Sequence, residues 1–364
     1  MHTILRFPRN NTLSSRASVD ETHLYDRFNI SVKVADANIR TEKEVADLIE
    51  FWHPDGCIVN NDKLPESAFA KLPTVFLHRN INPVNPRHAS LKLDEKAIAQ
   101  VAARHLLSLD LAAYAFVPPS NAEIWSLQRE QHFVHILGLN GHGVAVYAHP
   151  ARRFSSPKRI RHLASWLKSL PRPIGIFAAN DSVAAEICAA CDHLHLSIPN
   201  DIALLGVDND ETICETLRPT LSSISVDVYS ARYETARLIH QLISMRKLKH
   251  RNLTITPNGV VRRASTLCAK KTDFAVVAAY ELIRRRACDG LKARDVTALF
   301  PCGRRMAEIR FRAMIGHSIL NEIRTVRRAH ALAATSQRRS RTRDEIAADC
   351  GYKSWSSVLR LIKP

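Results

Sequence analysis

The sequence predicts an α/β, doubly wound domain followed by an all-α domain that holds a pair of helix-turn-helix units. Three observations point there. Short apolar runs alternate with longer segments of helical period from residue 45 to about 240. Asn and Asp stand directly after several of those runs. From Asp273 onward the pattern is helical throughout and strongly basic.

In chain order the apolar runs are Gly56-Cys-Ile-Val59, Thr74-Val-Phe-Leu77, Tyr114-Ala-Phe-Val117, Gly175-Ile-Phe-Ala178 and Ile202-Ala-Leu-Leu205, and each reads as a strand. Lys96 to Leu109, Ile124 to Leu137, Lys158 to Leu170 and Asp181 to Leu194 have helical spacing. Strand, helix, strand at this interval is the pattern of a parallel sheet covered by helices. After Ile243 the apolar spacing weakens, so Lys247 to Asn252 reads as a loop, residues 253 to 263 as a final strand and Cys268 to Thr272 as a linker. The expected organisation is a ligand-binding domain over residues 1–267, a linker over 268–272 and a helical domain over 273–364.

The helical part contains two segments of the form helix, short turn, helix. In the first, Leu291 to Leu299 is followed by Phe300-Pro-Cys-Gly303 and a basic helix from Arg304 to Met314. In the second, Asp344 to Cys350 is followed by Gly351-Tyr-Lys-Ser354 and a helix beginning near Trp355. The second helix of such a unit is the one that enters a major groove. Between the units, Ser318 to Ala334 carries Ile319, Ile323, Val326, Ala329 and Leu332 at core spacing, which predicts a rigid strut.

A chain of 364 residues with 46% hydrophobic content buries sizeable cores, which excludes a disordered protein. Residues 270–364 hold 21 Lys/Arg against 9 Asp/Glu, leaving 31 against 26 for the rest, so the net charge of +17 is concentrated in the helical quarter. A concentrated basic segment calls for a polyanion, because counterion release from phosphates gives sequence-independent affinity.

Pro8 and polar neighbours break the basic N-terminus before an apolar signal core forms, and no stretch approaches the roughly 20 apolar residues of a membrane span. The expected location is the cytoplasm, with no membrane partner. Of eight cysteines only Cys188 and Cys191 form a CxxC pair, with no second pair nearby, so the thiols read as reduced and no metal is expected. The sequence contains no GxGxxG, GxxxxGK[ST], GxSxG or HExxH, so neither an enzyme nor a cofactor is expected.

Open parallel sheets bind ligands at the carboxyl ends of their strands. Val59 is followed there by Asn60, Asn61 and Asp62, Ala179 by Asn180 and Asp181, and Val207 by Asp208, Asn209 and Asp210. Short rigid donors and acceptors of this kind suit sugar hydroxyls, although Asn and Asp also serve as turn formers and helix caps.

Ala179-Asn-Asp-Ser-Val-Ala-Ala185, Ile198-Pro-Asn-Asp-Ile202, Leu205-Gly-Val-Asp-Asn209 and Leu221-Ser-Ser-Ile-Ser-Val-Asp227 resemble the second lobe of LacI-type and periplasmic sugar-binding domains. Leu93-Asp94 with Ala102-Ala-Arg-His-Leu-Leu107 resembles a helix of the first lobe, and Asp344 to Val358 resembles the second helix-turn-helix of AraC-type activators. A sugar domain first and an AraC-type tail last is the order of the xylose operon activators. The resemblance implies a two-lobed periplasmic-binding-protein-like fold and a sugar, with a pentose among the candidates, clamped by Asn60, Trp125, Arg129, Asp181 and Asp208. Asn60 stands where those activators carry an acid, which leaves the identity of the sugar open.

For double-stranded operator DNA the candidate residues are Arg304, Arg305, Glu308 and Arg312 in the first unit, and Lys353, Ser354, Trp355, Ser357 and Arg360 in the second. Closure of the lobes on sugar is expected to reposition the tails of a homodimer at its half-sites, as in an activator that contacts RNA polymerase. The tail departs from the family: Pro364 follows soon after Ile362-Lys363, and Val358 and Ile362 replace expected phenylalanines. A sugar sensor with a degenerate tail that no longer binds DNA is therefore the alternative expectation.

Overall fold

The computed structural model describes residues 1–8, 25–81, 85–120, 123–150, 156–245, 248, 250–267, 273–336, 342–352 and 354–362. The linker expected over 268–272 and Lys353 lie outside the described residues. The chain divides into two compact units: residues 1–103, 118–140 and 224–260 form the first, and residues 104–117, 141–223 and 261–364 the second.

The first unit is built on a six-stranded sheet. Its strands are β1 (His2–Phe7), β2 (Ile30–Val34), β3 (Gly56–Val59), β4 (Thr74–Leu77), β5 (His88–Leu93) and β11 (Asn252–Ile255), in the spatial order β11-β5-β4-β3-β1-β2 with every neighbour parallel. Side chains alternate between the faces, and each face has its own apolar layer. Ile4, Ile58, Val75 and Ala89 pack with Ala236 and Ile239 of α7 (Val228–Ile243). Leu5, Phe7, Cys57, Val59 and Phe76 pack with Val45 of α1 (Glu42–Trp52) and with Phe69. Thr41 opens α1 through a capping box with Glu44, satisfying two otherwise orphaned donors. This unit also contains the start of α2 (Glu95–Leu107) and α3 (Ile124–Leu139).

The second sheet runs β12-β10-β9-β8-β6-β7, from β6 (Ala113–Val117), β7 (Val144–Val146), β8 (Ile174–Ala178), β9 (Ile202–Val207), β10 (Ser222–Val226) and β12 (Pro257–Val261). Its outer layer includes Leu163 and Leu167 of α4 (Ser156–Lys168) and Val183, Ile187 and Cys191 of α5 (Asp181–Leu194). One helical turn, α6 (Glu211–Cys214), follows β9.

The helical part consists of α8 (Phe274–Arg286), α9 (Ala293–Thr297), α10 (Arg304–Ile315), α11 (Ile319–Ser336), α12 (Arg343–Asp349) and α13 (Trp355–Ile362). One core joins α8, α9, α10 and the first half of α11 through Val276, Ile283, Val296, Phe311 and Ile323. A smaller core joins Ala331 of α11 to Ile346, Ala347, Cys350 and Val358. Arg327, between these two regions of α11, donates to the carbonyls of Ala287 (2.7 Å) and Leu291 (3.0 Å) and lies 5.1 Å from the Tyr352 ring centroid.

Three expectations change. The single strand expected over 253–263 is two, β11 and β12, one in each sheet, and Pro257, which has no N–H to donate, begins the second. Strands β1 and β2 precede the first expected strand; His2 and Arg6 interrupt the apolar signal of β1, although Ile4, Leu5 and Phe7 are buried. On α11, Ile319, Ile323 and Val326 are buried as the spacing predicts, but Ala329 is exposed, Leu332 is 48% exposed and Ala331 takes the core position. The helix serves two cores in turn, so no single stripe runs its length.

Candidate functional site

In the first unit, Asn60 extends β3 by donating its backbone N–H to the Phe7 carbonyl (2.8 Å), and its Oδ1 is buried without a hydrogen-bond partner. The neighbouring strand is β4, where Phe76 pairs with Val59. Two residues beyond β4, the Arg79 guanidinium stacks 4.3 Å from the Phe76 ring centroid and donates from Nη1 to the Leu64 carbonyl (2.8 Å). Arg79 Nε and Nη2 are buried with no partner. Burial holds the Arg79 pKa below its ordinary value, against the pull of Glu66 and Asp62. Buried cationic donors without acceptors are costly, so adjacent strand ends present an orphaned acceptor and two orphaned donors.

On α3 of the same unit, Arg129 is 2% exposed and bonded to Glu95 of α2 through Nε (2.8 Å) and Nη2 (2.6 Å). Its guanidinium carbon lies 4.7 Å from the centroid of the half-buried Trp125 ring, and the Trp125 indole N–H donates to Glu123. Burial raises the Glu95 pKa and outweighs the attraction of Arg129. The indole and guanidinium planes are thus oriented by fixed partners.

In the second unit, Asn180 caps α5 by accepting from Val183 N (2.9 Å), which places Asp181 in the first turn. Asp181 Oδ1 accepts from Ser223 Oγ (2.6 Å), and Oδ2 accepts from Asp210 N (2.7 Å) and Cys214 Sγ (3.4 Å). The carboxyl is 1% exposed, and burial pushes its pKa up to about 6 despite those donors. Gly206 makes room for it: a Cβ there would stand 2.2 Å from Asp181 Oδ1. Asp208 and Asn209, at the end of β9, have φ of +101° and +49°. Two consecutive non-glycine residues in this region mark backbone held in place by its surroundings, as at ligand clamps.

The basic face of the helical part is on α10. Arg304, Arg305, Glu308, Ile309, Arg312 and Ala313 line one shallow groove, while Ala307 and Phe311 face the core. The spacing of four places them on one stripe of the helix. Glu308 also accepts from Ile319 N (3.3 Å) at the start of α11. Arg310 faces elsewhere and is bonded to Asp273, the N-cap of α8 (Nη2 to Oδ1, 2.6 Å). On α13, Arg360 is exposed and Trp355 packs against the smaller core, while the Ser357 hydroxyl meets that of Ser354, just before the helix, at 3.1 Å.

Among the described residues no group of three or more His, Cys, Asp or Glu is placed to hold a metal ion, and no helix is long and apolar enough to cross a membrane. Sequence reasoning passed over Arg79 and Glu95. Arg79 stands just past an apolar run, the position that singles out Asn60, but a long arginine lacks the short rigid amide or carboxylate that marks a strand-end ligand group there. Glu95 follows Asp94 at a helix start, where an acid reads as a capping residue.

Residues 103–266 match the periplasmic binding protein-like domain. The chain is 29% identical over 323 residues to the xylose operon regulatory protein of Escherichia coli (strain K12), covering 85% of this chain and 80% of the relative. The solved structure of the xylose-binding transcription activator xylR is 25% identical, covers 100% of this chain and 94% of its own, and superposes with a TM-score of 0.59. A LacI family regulator from Enterococcus faecium with bound ribose shares the fold over 72% of this chain (TM-score 0.60, 20% identity, 98% of that chain). A periplasmic binding protein-like domain stands ahead of a helical part, and the chain is similar to the xylose operon regulatory proteins over 85% of its length.

Proposed function

We propose that this protein is a sugar-responsive, sequence-specific DNA-binding transcription regulator. One observation carries the reading: a periplasmic binding protein-like domain stands in one chain with a helix-turn-helix whose α10 exposes Arg304, Arg305 and Arg312 on a single stripe. Arginines spaced along a solvent-facing recognition helix match phosphates and guanine edges.

The effector is a sugar, a pentose by analogy with the relatives. The residues proposed to meet its hydroxyls are Asn60, Trp125, Arg129, Asp181 and Asp208, joined by Arg79. Residues 1–267 act as the ligand domain and 273–364 as the DNA reader, with Lys353, Ser354, Trp355, Ser357 and Arg360 in a second, weaker contact. The protein works in the cytoplasm as a homodimer without catalytic activity, and sugar binding changes how the two readers are presented to operator half-sites and to RNA polymerase.

The test is DNA binding by the full-length chain to the region upstream of its own gene, with and without D-xylose, D-ribose, L-arabinose and D-glucose. Sugar-dependent binding that weakens steeply with salt is expected. A folded chain that binds sugar and never DNA supports instead the sensor with a degenerate tail.

A further inference from the structure

The groups around Asp181 continue into the helical domain. Asp210, whose N–H meets Asp181 Oδ2, is the N-cap of α6, and Cys214, whose thiol meets the same oxygen, is its last residue. One carboxylate oxygen therefore holds both ends of a single helical turn. The next residue, Glu215, accepts from Arg263 Nε (2.7 Å) and from Nη2 of Arg284 on α8. Five residues later, Thr220 donates from N (2.9 Å) and Oγ1 (2.7 Å) to Glu281 Oε1, one turn earlier on α8. Arg263, Thr220 and Glu281 are 2%, 1% and 6% exposed.

We infer that α6 and the loop to Thr220 form the coupling element that carries the state of the sugar site to the DNA reader, with Glu215–Arg284 and Thr220–Glu281 as its two grips on α8. The inference rests on the regulator reading above. Three features suit a transmission joint better than a plain brace. Its grips are short bonds to carboxyl groups, and the Thr220–Glu281 grip is almost wholly enclosed, so α6 and α8 move together. It is incompletely satisfied, because Glu281 Oε2 and Arg284 Nε are buried with no partner, leaving a second bonding arrangement open to both. A cleft of about 320 Å³ lined by Glu211, Glu215, Thr220, Arg284, Arg285 and His330 runs beside the grips and leaves room for that rearrangement.

The experiment measures the affinity of the full-length chain for the DNA upstream of its gene, with and without each of the four sugars. It is run on wild type and on Arg284→Met, Glu281→Gln and Glu215→Gln, with sugar affinity and melting followed separately. Wild type is expected to change DNA affinity at least about fivefold with the effective sugar. The variants keep sugar binding and a single melting transition, and their change falls to less than about twofold. If one variant fails to fold, the milder glutamine variants and amide exchange of α8 in wild type, with and without sugar, still decide. Variants that respond as wild type does, or α8 amides indifferent to sugar, overturn the coupling and leave the regulator intact. A wild type indifferent to every sugar overturns the regulator reading, and the coupling with it.

Discussion

Arg129 and Glu95 form an ion pair of 2.6 Å between α3 and α2, with only 2% and 7% of their side chains exposed. A pair this deep is strongly destabilising to break, yet replacing both members by apolar groups of similar size is close to neutral. Glu95→Ala is therefore expected to cost about 3–5 kcal/mol of unfolding free energy in urea, and the double change Glu95→Met with Arg129→Met much less. If Arg129 also holds the sugar, the double variant recovers stability without recovering sugar affinity, which calorimetric titration reads directly.

Arg79→Met removes two buried donors that have no acceptor. Stability in the sugar-free protein is expected to hold or rise, while sugar affinity falls by about tenfold, the worth of a bond to a charged donor. A fall in stability with unchanged sugar affinity would make Arg79 a brace for the Phe76 ring.

Asp181, raised by burial to about 6, favours its protonated form in the fold; its contribution is complete below the ordinary carboxylate range and is lost as pH rises through about 6. Asp181→Asn, which can keep the bonds to Ser223 and to Asp210 N, is expected to be more stable than wild type by about 3 kcal/mol above pH 6. The gap closes toward pH 4. His105 has the opposite sign. Burial lowers it to about 4, so its neutral ring, paired with Thr266 Oγ1 at 3.0 Å, contributes stability above about 6.5 that is lost as pH falls toward 4. His105→Gln should flatten that acid limb, as thermal melts across pH 4 to 7 will show.

Alanine at Arg304, Arg305 or Arg312 should weaken DNA binding and, where the lost contact is to phosphate, reduce the slope of log affinity against log salt by about 0.9 each. Glu308→Ala acts differently: it removes the acceptor for Ile319 N, so the helical domain is expected to lose stability while the salt slope stays. Gel shifts at several salt concentrations, with melting of each variant, separate the two.

Much of this was legible in the chain itself. The strands Gly56–Val59 and Thr74–Leu77 and the helix Asp181–Leu194 fall where apolar period placed them, because each buries nearly every position it predicts. The strand-end rule picks out Asn60 and Asp208, which directly follow β3 and β9. The rest depends on groups far apart in sequence. Glu215 meets Arg284 across 69 residues and Thr220 meets Glu281 across 61, and no local spacing encodes a pairing at that separation. Leu332 was misplaced for a related cause, since one helix changes the core it serves partway along.

The bonds from Arg327 to the carbonyls of Ala287 and Leu291, with Tyr352 against its guanidinium, tie the first helix-turn-helix to the second through a strut with no hinge between Ile319 and Ser336. Two readers fastened this way act as a ruler. Each base pair inserted between the two contacts of one chain turns one from the other by roughly a tenth of a helical turn, so a single added pair puts the second recognition helix out of register and about five put it on the opposite face of the duplex.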